Sequence, residues 1–253
     1  MSILSHNADR RSFPPPYTVQ VSARAKHARL KMTPHDGLIV VLPEGFNRKH
    51  ISDLLLRHEL WIQKTAAQLD AQRQEPFPAM DNGLPCSVIF PHFAEQWEVA
   101  YQQTTATANG RGVIKERSAT SLLVSGDVAN DALCRKLLYS WLKHRAEMLL
   151  LPFFGKLAAS LAFDYGEAKV RLQHSRWGSC SSNRVITLNN KLLFLPEHLI
   201  RHIMVHELCH TVHLNHSRAF WALVQQHDPL WRINNRDMKS AWKYVPAWVS
   251  AKG

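Results

Sequence analysis

The segment His206-Glu207-Leu208-Cys209-His210 carries side chains whose types and spacing suit metal-dependent hydrolysis. On a helix, its two histidines lie one turn apart on the same face. Two imidazole nitrogens in this arrangement can both reach one zinc ion at about 2.0–2.1 Å. Glu207 is directed beside such an ion, so its carboxylate can accept a proton from bound water and later deliver it to a leaving group. The pattern predicts a zinc-dependent hydrolase with Glu207 as the general base.

The apolar residues around this segment decide between a metal site and an exposed helix that carries histidines by chance. They keep helical spacing and predict a largely buried helix, formed by Leu199, Ile200, Ile203, Met204 and Leu208. A buried His-Glu-His group without a metal would leave polar groups without partners, which is costly. We therefore interpret the segment as a metal site.

A catalytic zinc requires a third protein ligand and an open fourth position. His213 lies on the predicted helix face, but positions i, i+4 and i+7 span about 10 Å along a straight helix, too far for three nitrogens to meet one ion. Asn215 tolerates the left-handed conformation that ends a helix, and a turn there would return His216 towards the metal. The sequence therefore predicts His216 as the third ligand. It predicts that His213 supports the ligands or faces the substrate.

Three further motifs accompany the metal segment, namely Arg176-Trp177-Gly178-Ser179-Cys180, Leu188-Asn189 and Asn215-His216-Ser217-Arg218-Ala219-Phe220-Trp221. Together they resemble the YgjP-like family of metallopeptidases, which is related to SprT-like and other zincin folds. The resemblance covers most of the chain and is weakest over residues 100–130. It implies that His206, His210 and His216 bind zinc and that Glu207 is the general base.

The resemblance also implies how a substrate binds. In zincin folds the strand beside the active helix accepts an extended peptide as an added strand, which here lies within 176–189. Gly178 permits close backbone approach. Arg176, Gly178, Ser179 and His213 are therefore the predicted substrate-binding residues. Arg176 either stabilises an anionic transition state or pairs with a carboxylate elsewhere, and the sequence leaves both roles open.

The helices and strands that the sequence predicts around these residues indicate an α+β fold. Residues 1–16 are expected to form a flexible tail, and residues 17–126 a β-rich N-terminal region with one helix. Residues 131–253 are expected to form a zincin-like catalytic domain whose HExxH helix packs on a small antiparallel sheet. Pro152 is expected to separate two helices over 131–150 and 152–161, because proline removes a helical hydrogen bond.

Composition excludes several classes of protein. No apolar run approaches the roughly 20 residues that span a bilayer, so we expect no membrane segment and a cytoplasmic location. The four cysteines contain no CxxC pair, which disfavours a cysteine-ligated zinc module and a disulfide framework. The net charge of +11 would attract nucleic acid. No basic-aromatic motif indicates such a partner.

Two alternatives to a peptidase remain at this stage. The first is a metal-dependent nucleoside triphosphate pyrophosphatase of the UTP type, which a metal hydroxide, Arg176 and a basic surface would support. A role of this kind has been attached to YgjP-like proteins. Against it, the sequence has no phosphate-binding GxxxxGK[ST] loop. The second is a nucleic-acid-associated scaffold with a structural metal, which requires four protein ligands where the sequence offers three.

Overall fold

The computed structural model of the chain describes residues 13–33, 37–71, 83–104, 112–173 and 175–250. The chain divides into two compact units, residues 1–73 and residues 74–253. Residues 1–12 of the predicted tail lie outside the described part. Each unit is built from mixed α and β elements, so the α+β fold class is confirmed.

The first unit is a small sheet with two helices. The helical segment begins after Asn47, whose side chain caps it by accepting a hydrogen bond from the Lys49 N–H. The single predicted helix is interrupted at His58. The central strand pairs in parallel with the first and antiparallel with the second. The elements are β1 (Tyr17–Val21), β2 (Arg29–Thr33), β3 (Gly37–Leu42), α1 (Ile51–Arg57) and α2 (Glu59–Ala71).

The second unit holds two sheets and five α-helices in its described residues. Its strands are β4 (Ser87–Phe90), β5 (Glu95–Gln103), β6 (Val113–Ser118), β7 (Ser121–Gly126), β8 (Glu167–Arg171), β9 (Gly178–Cys180) and β10 (Val185–Asn189). Its helices are α3 (Asp131–Ser160), α4 (Glu197–Cys209), α5 (Arg218–His227), α6 (Trp231–Asp237) and α7 (Ala247–Ser250). Strands β4 to β7, which the sequence analysis grouped with the N-terminal region, share one apolar core with α3 and α4. The predicted domain limits stay a prediction.

The predicted helix break at Pro152 is wrong, because α3 continues for 30 residues through that position. The missing N–H would have bonded to the carbonyl of Met148, one turn earlier. Both residues lie on the exposed side of the helix, where water can satisfy the free carbonyl. The opposite side packs in the core through residues such as Leu150 and Phe154, so tertiary packing outweighs the local cost of the proline.

The sheet beside α4 has the order β8-β10-β9. Strand β9 pairs antiparallel with β10, whereas β8 pairs with β10 in parallel. The sheet is therefore mixed rather than fully antiparallel, because β8 and β9 lie at opposite edges and run in opposite directions along β10. Among the described residues, no helix is long and apolar enough to cross a membrane. The cytoplasmic location stays a prediction.

Candidate metal centre

Helix α4 carries His206 on a largely buried scaffold. It begins after Pro196 and buries most of its apolar side chains in the core of the second unit. Its last residue is Cys209, which is fully buried, and His210 is the C-cap. The helix thus ends earlier than the predicted turn at Asn215. His213 lies beyond the helix rather than on its face.

Three imidazole rings converge where the helix ends. The Nε2 atom of His206 lies 3.2 Å from Nε2 of His210 and 3.1 Å from Nε2 of His216. One nitrogen from each ring lies within 4.8 Å of the other two. The chain therefore brings the three predicted ligands together, with His216 supplied by the loop between α4 and α5.

The donor atoms fit a tetrahedral metal ion. Zinc–nitrogen bonds of about 2.0–2.1 Å would place the nitrogens about 3.3 Å apart, close to the separations seen here. The Nδ1 of His210 lies 2.9 Å from the carbonyl oxygen of His213, and only a protonated Nδ1 can donate to that oxygen. The neutral ring therefore presents its unprotonated Nε2 to the site. A backbone carbonyl orients this ligand in the way that metal-binding histidines require.

Burial favours the neutral form of two of the three rings, those of His206 and His210. It lowers the pKa of His206 to about 3, with further lowering from the neighbouring His210, His216 and His202. It also lowers the pKa of His210, although the hydrogen bond to the His213 carbonyl opposes this shift. Neutral imidazole is the form that binds a metal.

Glu207 follows His206 directly on α4 and is buried to 5% exposure. Burial raises its pKa to about 8, and the charge of Arg176 lowers the pKa in part. A bound cation would also favour the carboxylate, because an opposite charge nearby stabilises the charged form. Arg176 is exposed, and its positive charge acts on Glu207. The two roles that the sequence left open for Arg176 stay a prediction.

Gly178 lies directly against Glu207. A Cβ added to Gly178 would lie 2.7 Å from Oε1 and 2.8 Å from Cγ of that side chain. The sequence predicted that a substrate backbone approaches Gly178 closely. In the structure, the side chain of Glu207 occupies the space next to Gly178 instead. The absence of a side chain at Gly178 leaves the space that the Glu207 carboxylate occupies.

Replacing Gly178 by alanine should displace Glu207 while leaving the metal ligands in place. A misplacement of about 1 Å costs about 10²-fold in rate at a catalytic group, and we expect a loss of this order with unchanged metal content. Gly155→Ala is the matched control, because its added Cβ lies 3.7 Å from the nearest atom, an ordinary contact. The hydrolytic rate and the metal content of both variants check this. Wild-type hydrolysis by Gly178→Ala would contradict the tight placement of Glu207.

Strand β9 forms the edge of its sheet in the described structure. Strand β10 hydrogen-bonds the Trp177 carbonyl at 2.9 Å and the Ser181 N–H at 3.0 Å. By the alternation of an antiparallel pair, the backbone groups of Ser179 are also directed at β10, and those of Gly178 and Cys180 at the free edge. Burial and the charge of Glu207 both raise the pKa of the Cys180 thiol. Cys180 thus shares the helix-facing side with Gly178, and the Ser179 side chain is directed at the opposite side.

The Leu188-Asn189 motif secures the segment that leads into β9. The fully buried Asn189 amide donates hydrogen bonds to the carbonyls of Gln173 at 2.9 Å and Arg176 at 2.7 Å. Its side-chain oxygen accepts from the Lys191 N–H at 3.1 Å. The Trp177 ring packs against the Trp242 ring, with centroids 4.3 Å apart and an interplanar angle of 31°.

Two groups of residues near the rings were missed by the sequence analysis. The first is aromatic: Phe220 lies within 5.0 Å of all three ligand rings, and Trp221 lies beside His216. The motif Phe220-Trp221 was recognised, but without a role. The second is a buried polar cluster of His202, Asp228 and Asn234, which no sequence signal indicates because its members are far apart in the chain.

The geometry agrees with the comparison of the chain with protein families. The model of the YgjP-like, metallopeptidase domain matches residues 26–241, which is most of the chain. This chain is a member of the YgjP-like family. Searches of curated proteins and of solved structures found no match.

Membership of the YgjP-like metallopeptidase family indicates the general class of function. The family description implies a metal cofactor and a peptide or protein substrate. The match includes the residues of the candidate centre, from the strand segment at 176–180 to α5. The identity of the metal and of the reaction must be inferred from the residues of the site.

Proposed function

We propose that this YgjP-like protein is a zinc-dependent peptidase that holds its ion on His206, His210 and His216. The observation that carries the proposal is the convergence of three imidazole nitrogens next to a buried glutamate. Three nitrogen ligands leave a fourth position open, as in catalytic rather than structural zinc sites. Of the described residues, no further His, Cys, Asp or Glu joins this group. A structural site with four protein ligands therefore has no support.

When bound, zinc supplies a Lewis acid and lowers the pKa of water in the open position. Glu207 holds and moves the proton in this proposal. Its carboxylate accepts the proton of the attacking water and delivers it to the amine that leaves. The exposed Arg176 supplies positive charge near the carboxylate, where negative charge develops on the substrate oxygen.

The free edge of β9 is the proposed binding strand for the peptide. The outward-directed N–H and C=O groups of Gly178 and Cys180 would pair with an extended substrate, as in strand addition at other sheet edges. The same two residues share the side that faces Glu207, so an added strand would run past the carboxylate. Ser179, also predicted from the sequence, would contribute through its side chain at most, since its backbone groups are directed at β10.

Metal content and hydrolysis test this proposal together. We expect about one zinc per chain after purification without added metal, and hydrolysis of an internally quenched peptide library that a chelator abolishes and zinc restores. A nucleoside triphosphate arm of the same assay tests the pyrophosphatase alternative, which has less support because the family description names a metallopeptidase. Zinc below a few tenths of an equivalent, with no uptake on addition, would refute the site.

A further inference from the structure

The third ligand is held differently from the other two. His206 is fixed by helix α4, and the His210 ring is fixed by its hydrogen bond to the His213 carbonyl. His216 lies in an exposed loop, and among the described residues no protein group accepts a hydrogen bond from its Nδ1. Metal-binding histidines almost always have such a partner, which sets the orientation of the ring. A contact with a neighbouring ring remains as the protein interaction that can orient His216.

A stacked column of rings provides that contact. The His216 ring lies 5.6 Å from the Trp221 ring at an interplanar angle of 24°. Trp221 stacks in turn on Trp231, with centroids 4.4 Å apart and an angle of 18°. The Arg232 guanidinium lies 4.8 Å from the Trp231 centroid. Since one face of Trp231 is occupied by Trp221, the cation covers the other face.

Gln225 on α5 locks the outer end of this column. Its side-chain oxygen accepts a hydrogen bond from the Trp231 indole N–H at 2.6 Å and another from Arg232 at 3.3 Å. The two outer members of the column therefore share one acceptor. This arrangement fixes the ring planes as well as their separation.

The buried polar cluster of His202, Asp228 and Asn234 fixes the backbone next to Trp231. The Asp228 carboxylate pairs with Nδ1 of His202 at 2.6 Å and accepts from the Asn234 amide at 3.0 and 3.1 Å. Burial alone would raise the pKa of Asp228, but these hydrogen bonds lower it below its ordinary value. The Asp228 carbonyl accepts from the Trp231 N–H at 3.0 Å. The polar cluster therefore links Trp231 to α4, the helix that carries His206.

Trp221 makes near-parallel ring contacts both with His216 and with Trp231. Simple core packing is a poor description of this arrangement, because Trp221 and Trp231 are only partly buried and the ring planes are nearly parallel. The column orients the ligand ring instead.

We propose that Trp221 is a positioning residue that pre-orients His216 for the metal through ring stacking, with Trp231 as its support. The inference rests on the proposed zinc site. Without the stack, the His216 ring would keep its edge contact with Phe220 but could adopt more orientations, from which zinc binding would have to select one. The cost of that selection reduces metal affinity even though no ligand is lost.

Competitive zinc titration against a chelator tests the role of Trp221. Trp221→Leu should weaken zinc binding by about 10- to 100-fold, the range seen when groups that orient ligands are removed. Trp221→Phe keeps a stacking ring and should restore affinity to within a few-fold of wild type. The d–d absorption spectrum of the cobalt-substituted protein should change in the leucine variant only, because the coordination geometry is altered there.

Trp248→Leu is the matched control. Trp248 is a buried tryptophan that stacks on Tyr139, so its loss lowers stability without removing a member of the column. Thermal unfolding of the zinc-free proteins separates stability from affinity. If Trp221→Leu and Trp248→Leu lower the melting temperature alike and both keep wild-type affinity, the column is packing only and the proposal is overturned.

Trp231→Leu provides a second measurement if Trp221→Leu does not fold. It removes the support but keeps the ring in contact with His216, so we expect a smaller loss of affinity in the same direction. An unchanged affinity in Trp231→Leu would then overturn the proposal. A wild-type protein that binds no zinc would refute the site itself, whereas wild-type binding with unaffected variants would refute only the positioning role.

Discussion

Glu207→Gln is expected to lose about 10²- to 10⁴-fold in peptide hydrolysis while keeping its zinc. The amide has the size and shape of the carboxylate, so the tight contact with Gly178 is preserved. It cannot accept a proton from water, which removes the proposed general base. Initial rates on a quenched peptide library, with metal content measured on the same samples, provide the test.

The control for Glu207→Gln is Glu197→Gln, at the exposed first turn of the same helix. This variant makes the same chemical change on α4 away from the ligands and should hydrolyse peptides at the wild-type rate. Full activity in Glu207→Gln would show that another group accepts the proton. A loss of zinc in that variant would instead indicate that Glu207 is itself needed for binding.

His216→Ala is expected to weaken zinc binding by more than about 100-fold, beyond the range of changes that affect a ligand only indirectly. Two imidazoles on one helix end then remain, and water must complete the site. His213→Ala should leave affinity within a few-fold of wild type. The structure assigns the contact with His210 to the backbone carbonyl of His213, which the substitution retains.

Competitive chelator titration compares these two variants directly. His213→Ala is the natural control, because it removes an imidazole from the same loop. Should His213→Ala lose the metal while His216→Ala keeps it, the ring nitrogens shown here are not the ligand set. The aromatic column would then have no ligand to position, and both proposals would need revision.

The local features of the site were predictable from the sequence. The helical pairing of His206 and His210 depends only on residue spacing, and the cap at Ser217 depends on one side chain that accepts from the Phe220 N–H. His216 was selected as the third ligand because a chain turn had to follow the helix. The turn does occur, but it begins at His210 rather than at Asn215, since the helix ends at Cys209.

The features that were missed depend on contacts between distant parts of the chain. The contact of Gly178 with Glu207 joins a strand and a helix, and its sequence signal, a glycine in a strand, indicates close approach without naming the partner. The pairing of His202 with Asp228 links residues 26 apart. Strand spacing could not reveal that β8 and β10 are parallel, because the pattern of buried residues is the same in either direction.

The shortness of β9 limits which proteins can be cleaved under the proposed function. Only Gly178 and Cys180 direct backbone groups outwards, so main-chain pairing with a substrate extends over a few residues. Main-chain pairing along so short an edge cannot displace a strand from a folded sheet. A target must already expose an extended segment, through a terminus or a transient opening. Its degradation rate would then follow the free energy of local unfolding of the target rather than its overall stability.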